Sequence, residues 1–120
     1  MTWANATKLG KLKDVGRETV VIDNHKILFI WHDGEIYAVQ AQCPHLGMPL
    51  LKGKIDEKCH LVCPFHKSEF DLKTGEVECW SPWPPVLGSL LGKISKPKNL
   101  RIYPTRIEGD DIMVQLGSNL

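Results

Sequence analysis

Two short runs constrain this 120-residue chain more than anything else in it: Cys43-Pro44-His45-Leu46-Gly47 and Cys63-Pro64-Phe65-His66. Seventeen residues lie between His45 and Cys63. Each run supplies one thiolate and one imidazole, in the same order and one or two residues apart. Spacing this close lets both side chains of a run project from the same side of a tight loop. Two such loops, brought together as the tips of a β-structure, can grip one metal group from opposite sides. Pro44 and Pro64 each follow a cysteine directly, where a fixed φ stiffens the loop and lowers the entropy lost on ordering it.

The rest of the chain supports β-structure. Glu18 to Asp23, Lys26 to His32 and Glu35 to Ala41 are runs of β-branched and aromatic residues, broken by Asp23-Asn24 and Asp33-Gly34. Asp-Gly is a two-residue hairpin signal, because it readily takes the positive φ values of a tight turn. Lys73-Thr74-Gly75-Glu76 and Glu108-Gly109-Asp110-Asp111 read as further turns. Strands punctuated this often predict an antiparallel all-β sandwich or barrel. Phe29, Trp31 and Tyr37 read as core residues of alternating strands, His25 and His32 as turn or surface residues, and Cys59 and Cys79 as small, partly buried side chains. The exception is Trp80 to Asn99. Prolines at 82, 84 and 85 rule out a central strand there. Beyond them Val86, Leu87, Leu90, Leu91 and Ile94 fall on one helical face, while Gly88 and Gly92 limit the helix to one or two turns.

Composition narrows the function. The length suits one domain, and 15 basic against 14 acidic side chains give no excess that points to nucleic acid. The apolar run Ile27 to Trp31 is far too short to span a bilayer. The N-terminal residues have no basic stretch followed by an apolar one, so neither a leader nor a membrane anchor is expected and the plain reading is cytoplasmic. Four cysteines are too few for a disulfide scaffold of the secreted kind.

Two thiolates and two imidazoles make a good zinc tetrahedron. They also suit a [2Fe–2S] cluster with two cysteines on one iron and two histidines on the other. Zinc fingers usually group like ligands together, whereas each run here mixes them. The paired C-x-H and C-x-x-H pattern resembles the Rieske family of iron–sulfur proteins. Phe70 to Glu76 is similar to the strand and turn that close the family's second cluster loop, and Tyr103 to Ile112 to its terminal hairpin. The likeness runs over roughly residues 15 to 117.

The resemblance implies a single Rieske domain over residues 1–120. Its base strands lie in about 1–41 and 99–117, its cluster-binding part in about 42–85, and an insertion in about 86–98. It implies one [2Fe–2S] cluster, with Cys43 and Cys63 on the inner iron and His45 and His66 on the outer iron. Gly47 is expected to let backbone amides approach the cluster sulfurs, and Ser68 to donate a hydrogen bond to one of them. Lys67 stands where glycine is usual, and its charge favours the reduced form. Pro84 falls in a third loop that shields the cluster. High-potential members join the two loops by a disulfide, but the matching positions here are Met48 and Phe65. Phe70 also replaces a tyrosine donor. A potential in the lower part of the class range, roughly −150 to +300 mV, is therefore expected.

By the same resemblance the protein is a one-electron carrier, not itself an enzyme, with a flavin-dependent reductase and an oxygenase or other terminal enzyme as partners. The alternative is a tightly bound small subunit of a larger redox enzyme of the nitrite-reductase or arsenite-oxidase kind. A complete oxygenase is excluded by length, and no second set of two histidines and a carboxylate is evident.

Overall fold

The computed structural model describes residues 3–44, 47–65, 67–79 and 98–116, with the Cys79 side chain left aside. His45, His66 and the stretch 80–97, which holds Pro84 and nearly all of the expected insertion, lie outside the described residues. The chain divides into two compact units, Met1–Ala41 with Ile102–Leu120, and Gln42–Arg101.

The base unit is made of two three-stranded antiparallel sheets. One has β1 (Trp3–Lys8), β10 (Asp111–Gln115) and β9 (Thr105–Glu108), in that order. The other has β2 (Arg17–Ile22), β3 (His25–His32) and β4 (Glu35–Gln40). Period-2 alternation sends Ile27 and Phe29 of β3 and Ile112 and Val114 of β10 into one shared core with Ala38 and Tyr103. The sandwich expected from the sequence is therefore present. Both hairpin turns of the second sheet also form where expected. Ile22 pairs with His25 and His32 with Glu35, leaving two-residue loops at left-handed φ: 45° and 68° at Asp23 and Asn24, 50° at Asp33.

Three details differ from the sequence reading. A helix, α1 (Leu9–Val15), follows β1 where only strands and turns were expected. Leu9 and Leu12 lie one turn apart on it. Leu12 is fully buried in the core, and Gly16 ends the helix by donating its N–H to Leu12 O at 2.7 Å. Tyr37 is only partly buried, its hydroxyl donating to Glu35 at 3.0 Å, because it lies on the opposite face of β4 from Ala38. His25 is not a free turn residue: its Nδ1 lies 3.1 Å from the Tyr103 hydroxyl, with the two rings edge to face.

The second unit carries a four-stranded antiparallel sheet of β5 (Lys54–Ile55), β6 (His60–Val62), β7 (Glu69–Asp71) and β8 (Val77–Cys79). Its strands are only two or three residues long. Among its described residues Leu50, Leu61, Phe70, Leu72 and Leu100 are buried, as are Cys43 and Cys63.

Candidate metal centre

The loops that begin at Cys43 and Cys63 are built on one plan. In the first, Cys43 N donates to Met48 O at 2.7 Å, and Gly47 N donates back to Cys43 O at 2.8 Å. In the second, Cys63 N donates to Ser68 O at 2.8 Å, and Lys67 N donates back to Cys63 O at 3.1 Å. The residues just outside pair in the same register, Gln42 with Pro49 and Val62 with Glu69. Each loop is thus a six-residue tip between paired residues, with its cysteine first. Both cysteines are buried, at 2 % and 1 % exposure.

The fifth residue of each tip must turn the chain back, and both do so at left-handed φ, 74° at Gly47 and 64° at Lys67. An added Cβ at Gly47 would meet no described protein atom within 4 Å, and what glycine supplies against those residues is the backbone angle. A residue with a side chain costs roughly 1–2 kcal/mol in this region, which Lys67 bears. The exposed Lys67 side chain folds back on its own tip, its Nζ donating to Pro64 O at 3.4 Å.

Gly53 was not singled out from the sequence, where Lys52-Gly53-Lys54 looks like any turn. A Cβ there would lie 2.5 Å from Val62 O, 3.1 Å from the Leu61 side chain and 3.2 Å from Leu50 O. The strand that leads into Cys63 therefore passes against the segment that leaves the first tip, and only glycine leaves space for it. Ser68 and Phe70 are both fully buried beyond the second tip.

Aspartates hold the turns around this sheet. Asp56 accepts hydrogen bonds from the N–H groups of Lys58 and His60, both at 2.9 Å, between β5 and β6. The His60 amide, opposed by burial and helped by Lys58, holds the Asp56 carboxyl below the usual range. Within this turn Cys59 is partly buried, as expected, and takes a left-handed φ of 63°. Asp71 accepts from Lys73 N at 2.7 Å and Thr74 N at 3.3 Å, which places the expected turn at Lys73 to Glu76. His60 Nδ1 lies 3.5 Å from Asp56 and 3.6 Å from Glu69.

Comparison with known proteins decides what such paired tips belong to. The family model for the Rieske [2Fe-2S] domain matches residues 2–104. The chain belongs to the Rieske [2Fe–2S] family. A 3-phenylpropionate/cinnamic acid dioxygenase ferredoxin subunit from Shigella boydii is 28 % identical over 100 residues, 82 % of this chain and 81 % of that protein. A Rieske domain-containing protein of Homo sapiens is 30 % identical over 110 residues, 89 % of this chain and 70 % of its own length. Among solved structures, the ferredoxin of carbazole 1,9a-dioxygenase from Nocardioides aromaticivorans matches this Rieske chain with a TM-score of 0.72. The match covers 95 % of this chain and 97 % of that one at 23 % identity, a likeness of fold.

The Rieske cofactor is a [2Fe–2S] cluster, and the residues present fit it. A buried cysteine that gives up its proton needs a metal or another cation beside it. Two buried cysteines at the start of equivalent tips, each followed within three positions by a histidine, supply the mixed donors that a Rieske cluster takes.

Proposed function

We propose that this Rieske chain is a one-electron carrier that takes electrons from a flavin-dependent reductase and passes them to a terminal oxygenase, without catalysing a reaction itself. Cys43 and Cys63 hold the inner iron, and His45 and His66 the outer iron. The cluster, when bound, accepts and releases one electron. The observation that carries this reading is the shared construction of the two tips, with a buried cysteine first and the same backbone closure in each. Imidazoles in place of two thiolates remove negative charge, so reduction is easier than at an all-cysteine site. Burial of the cysteines keeps solvent from that iron, while the histidine iron faces a docked partner.

The domain is single, with residues 86–98 as an insertion that follows its cluster-binding part. Ser68 donates to a cluster sulfur, Gly47 lets backbone amides of its tip approach the sulfurs, and Pro84 shields the cluster. No helix among the described residues is long and apolar enough to cross a membrane, and a cytoplasmic location fits this reading. Ferredoxin subunits of dioxygenases among the relatives favour an oxygenase as the electron acceptor.

Metal and sulfide analysis of anaerobically prepared protein tests the site. Two irons and two acid-labile sulfides per chain are expected, and stoichiometric zinc without sulfide would overturn the assignment. His45→Ala and His66→Ala should each abolish the Rieske spectrum, whereas Cys59→Ala should not. The midpoint potential should fall below about 0 mV, in the lower part of the class range.

A further inference from the structure

The two tips share a closure but not a closing residue. Gly47 and Lys67 make the same bond to the cysteine carbonyl of their own tip, at nearly the same left-handed φ. Glycine takes that angle without strain. At Lys67 the same angle is strained, and the side chain lies back over the tip, where Nζ donates to Pro64 O at 3.4 Å. Lys67 is also the single Lys, Arg, Asp or Glu in either six-residue tip, 43–48 or 63–68.

We propose that Lys67 raises the reduction potential: its folded-back ammonium fixes one positive charge on the second cluster tip and favours the reduced cluster. This rests on the assignment of the cluster to the two tips. Adding an electron makes the cluster more negative, so a nearby positive charge stabilises the reduced form more than the oxidised form. The exposure of Lys67 makes the effect modest and sensitive to salt. The first tip, closed by Gly47, has no such charge. The two tips therefore contribute unequally to the potential although their backbones match.

Protein-film voltammetry on the iron-loaded protein tests this with Lys67→Asn, Lys67→Gly and Lys67→Arg. Asn and Gly both tolerate the left-handed angle and remove the charge, whereas Arg keeps the charge and the strain. At a fixed potential, Asn and Gly should each lower the reduced-to-oxidised ratio about fourfold. For a one-electron couple at 59 mV per tenfold, this is a fall in midpoint of about 35 mV. Arg should match the wild type, and the fall should shrink in 1 M salt, where the Debye length is about 3 Å. Wild-type midpoints in the Asn and Gly variants would overturn the proposal, as would a fall with Arg or a fall undiminished by salt. Loss of the cluster in the Asn or Gly variant would also overturn it, by making Lys67 a structural clamp. A wild type without a [2Fe–2S] spectrum overturns the cluster assignment as well. A wild type with the spectrum and unmoved variants overturns the Lys67 proposal alone.

Discussion

In the base unit Lys8 bonds Asp111 across 103 positions of sequence, and Thr7 and Lys11 both reach Glu18. In the loop unit Asp56 and Asp71 hold backbone amides only two to four residues ahead of themselves. The strands differ in the same direction. β3 runs for eight residues with Ile27, Leu28, Phe29 and Ile30 all buried, while β5 to β8 run for two or three. The base unit is held by long-range pairing over an apolar core, a combination that resists local opening. The loop unit has shorter strands and more local turn chemistry, with longer ties where Val77 N donates to Asn99 Oδ1 at 3.0 Å and Leu100 N to Gly75 O at 2.7 Å. A metal group joining its two tips would add a further tie to those its short strands make.

The largest expected effect tests that tie. Removing iron from the loaded protein by reduction and chelation should speed amide exchange at Leu61, Phe70 and Leu72 by at least about tenfold. Protection in β3 and β10 should persist, as hydrogen-exchange mass spectrometry or NMR would show. Equal loss in both units would mean that they open together, and the contrast would fail. Next in size are two core truncations. Phe29→Ala in the base should cost about 3–5 kcal/mol in urea unfolding while the folded fraction keeps its cluster spectrum. Phe70→Ala, equally buried but in a three-residue strand, should lose the cluster at urea concentrations where the base strands still give their circular dichroism signal. A smaller effect is expected at Gly53. Gly53→Ala puts a methyl group 2.5 Å from the Val62 carbonyl, a backbone atom that cannot rotate away. About 1–3 kcal/mol should be lost, read as a lower temperature of cluster bleaching.

The same contrast explains what could be read from the sequence. In the base unit, runs of β-branched and aromatic residues broken by Asp23-Asn24 and Asp33-Gly34 located β2, β3 and β4 to within a residue or so, because such residues suit paired strands and those dipeptides suit tight turns. The helix at Leu9–Val15 escaped because seven residues with one buried leucine give too short a period to detect, and Gly10 argues against a helix. In the loop unit no period exists to find. Its ligand motif was legible from residue chemistry, but the equivalence of the tips was not. It lies in backbone bonds between Cys43 and Met48 and between Cys63 and Ser68, and in the left-handed angle of Lys67, a residue type that does not announce one. Gly53 was hidden for a related reason, since the atoms that crowd it include Val62, which lies nine positions on.

The smallest expected effect separates the two units by acid. Asp56 has its pKa lowered from 3.8, chiefly by the backbone N–H of His60, with burial opposing and Lys58 assisting. A carboxyl whose folded pKa is depressed stabilises the fold above its unfolded value and loses that contribution as pH falls through the folded value. The Asp56 contribution should thus be intact above about pH 4 and fade below it. Because the carboxylate's bonds to Lys58 N and His60 N lie within one turn, the loss should remain local. Protection of those two amides, corrected for intrinsic exchange, should fall as the solution is acidified below pH 4, and Asp56→Ala should remove the step. Glu18 in the base provides the control. Burial raises its pKa, but hydrogen bonds from Lys11 and Thr7 outweigh burial and leave it lowered. It ties β2 to both β1 and α1, so its protonation should loosen amides in all three elements together. If acid loosened Lys58 and His60 only in step with β1 and β2, Asp56 would not be acting as a local clamp, and the two units would share one acid response.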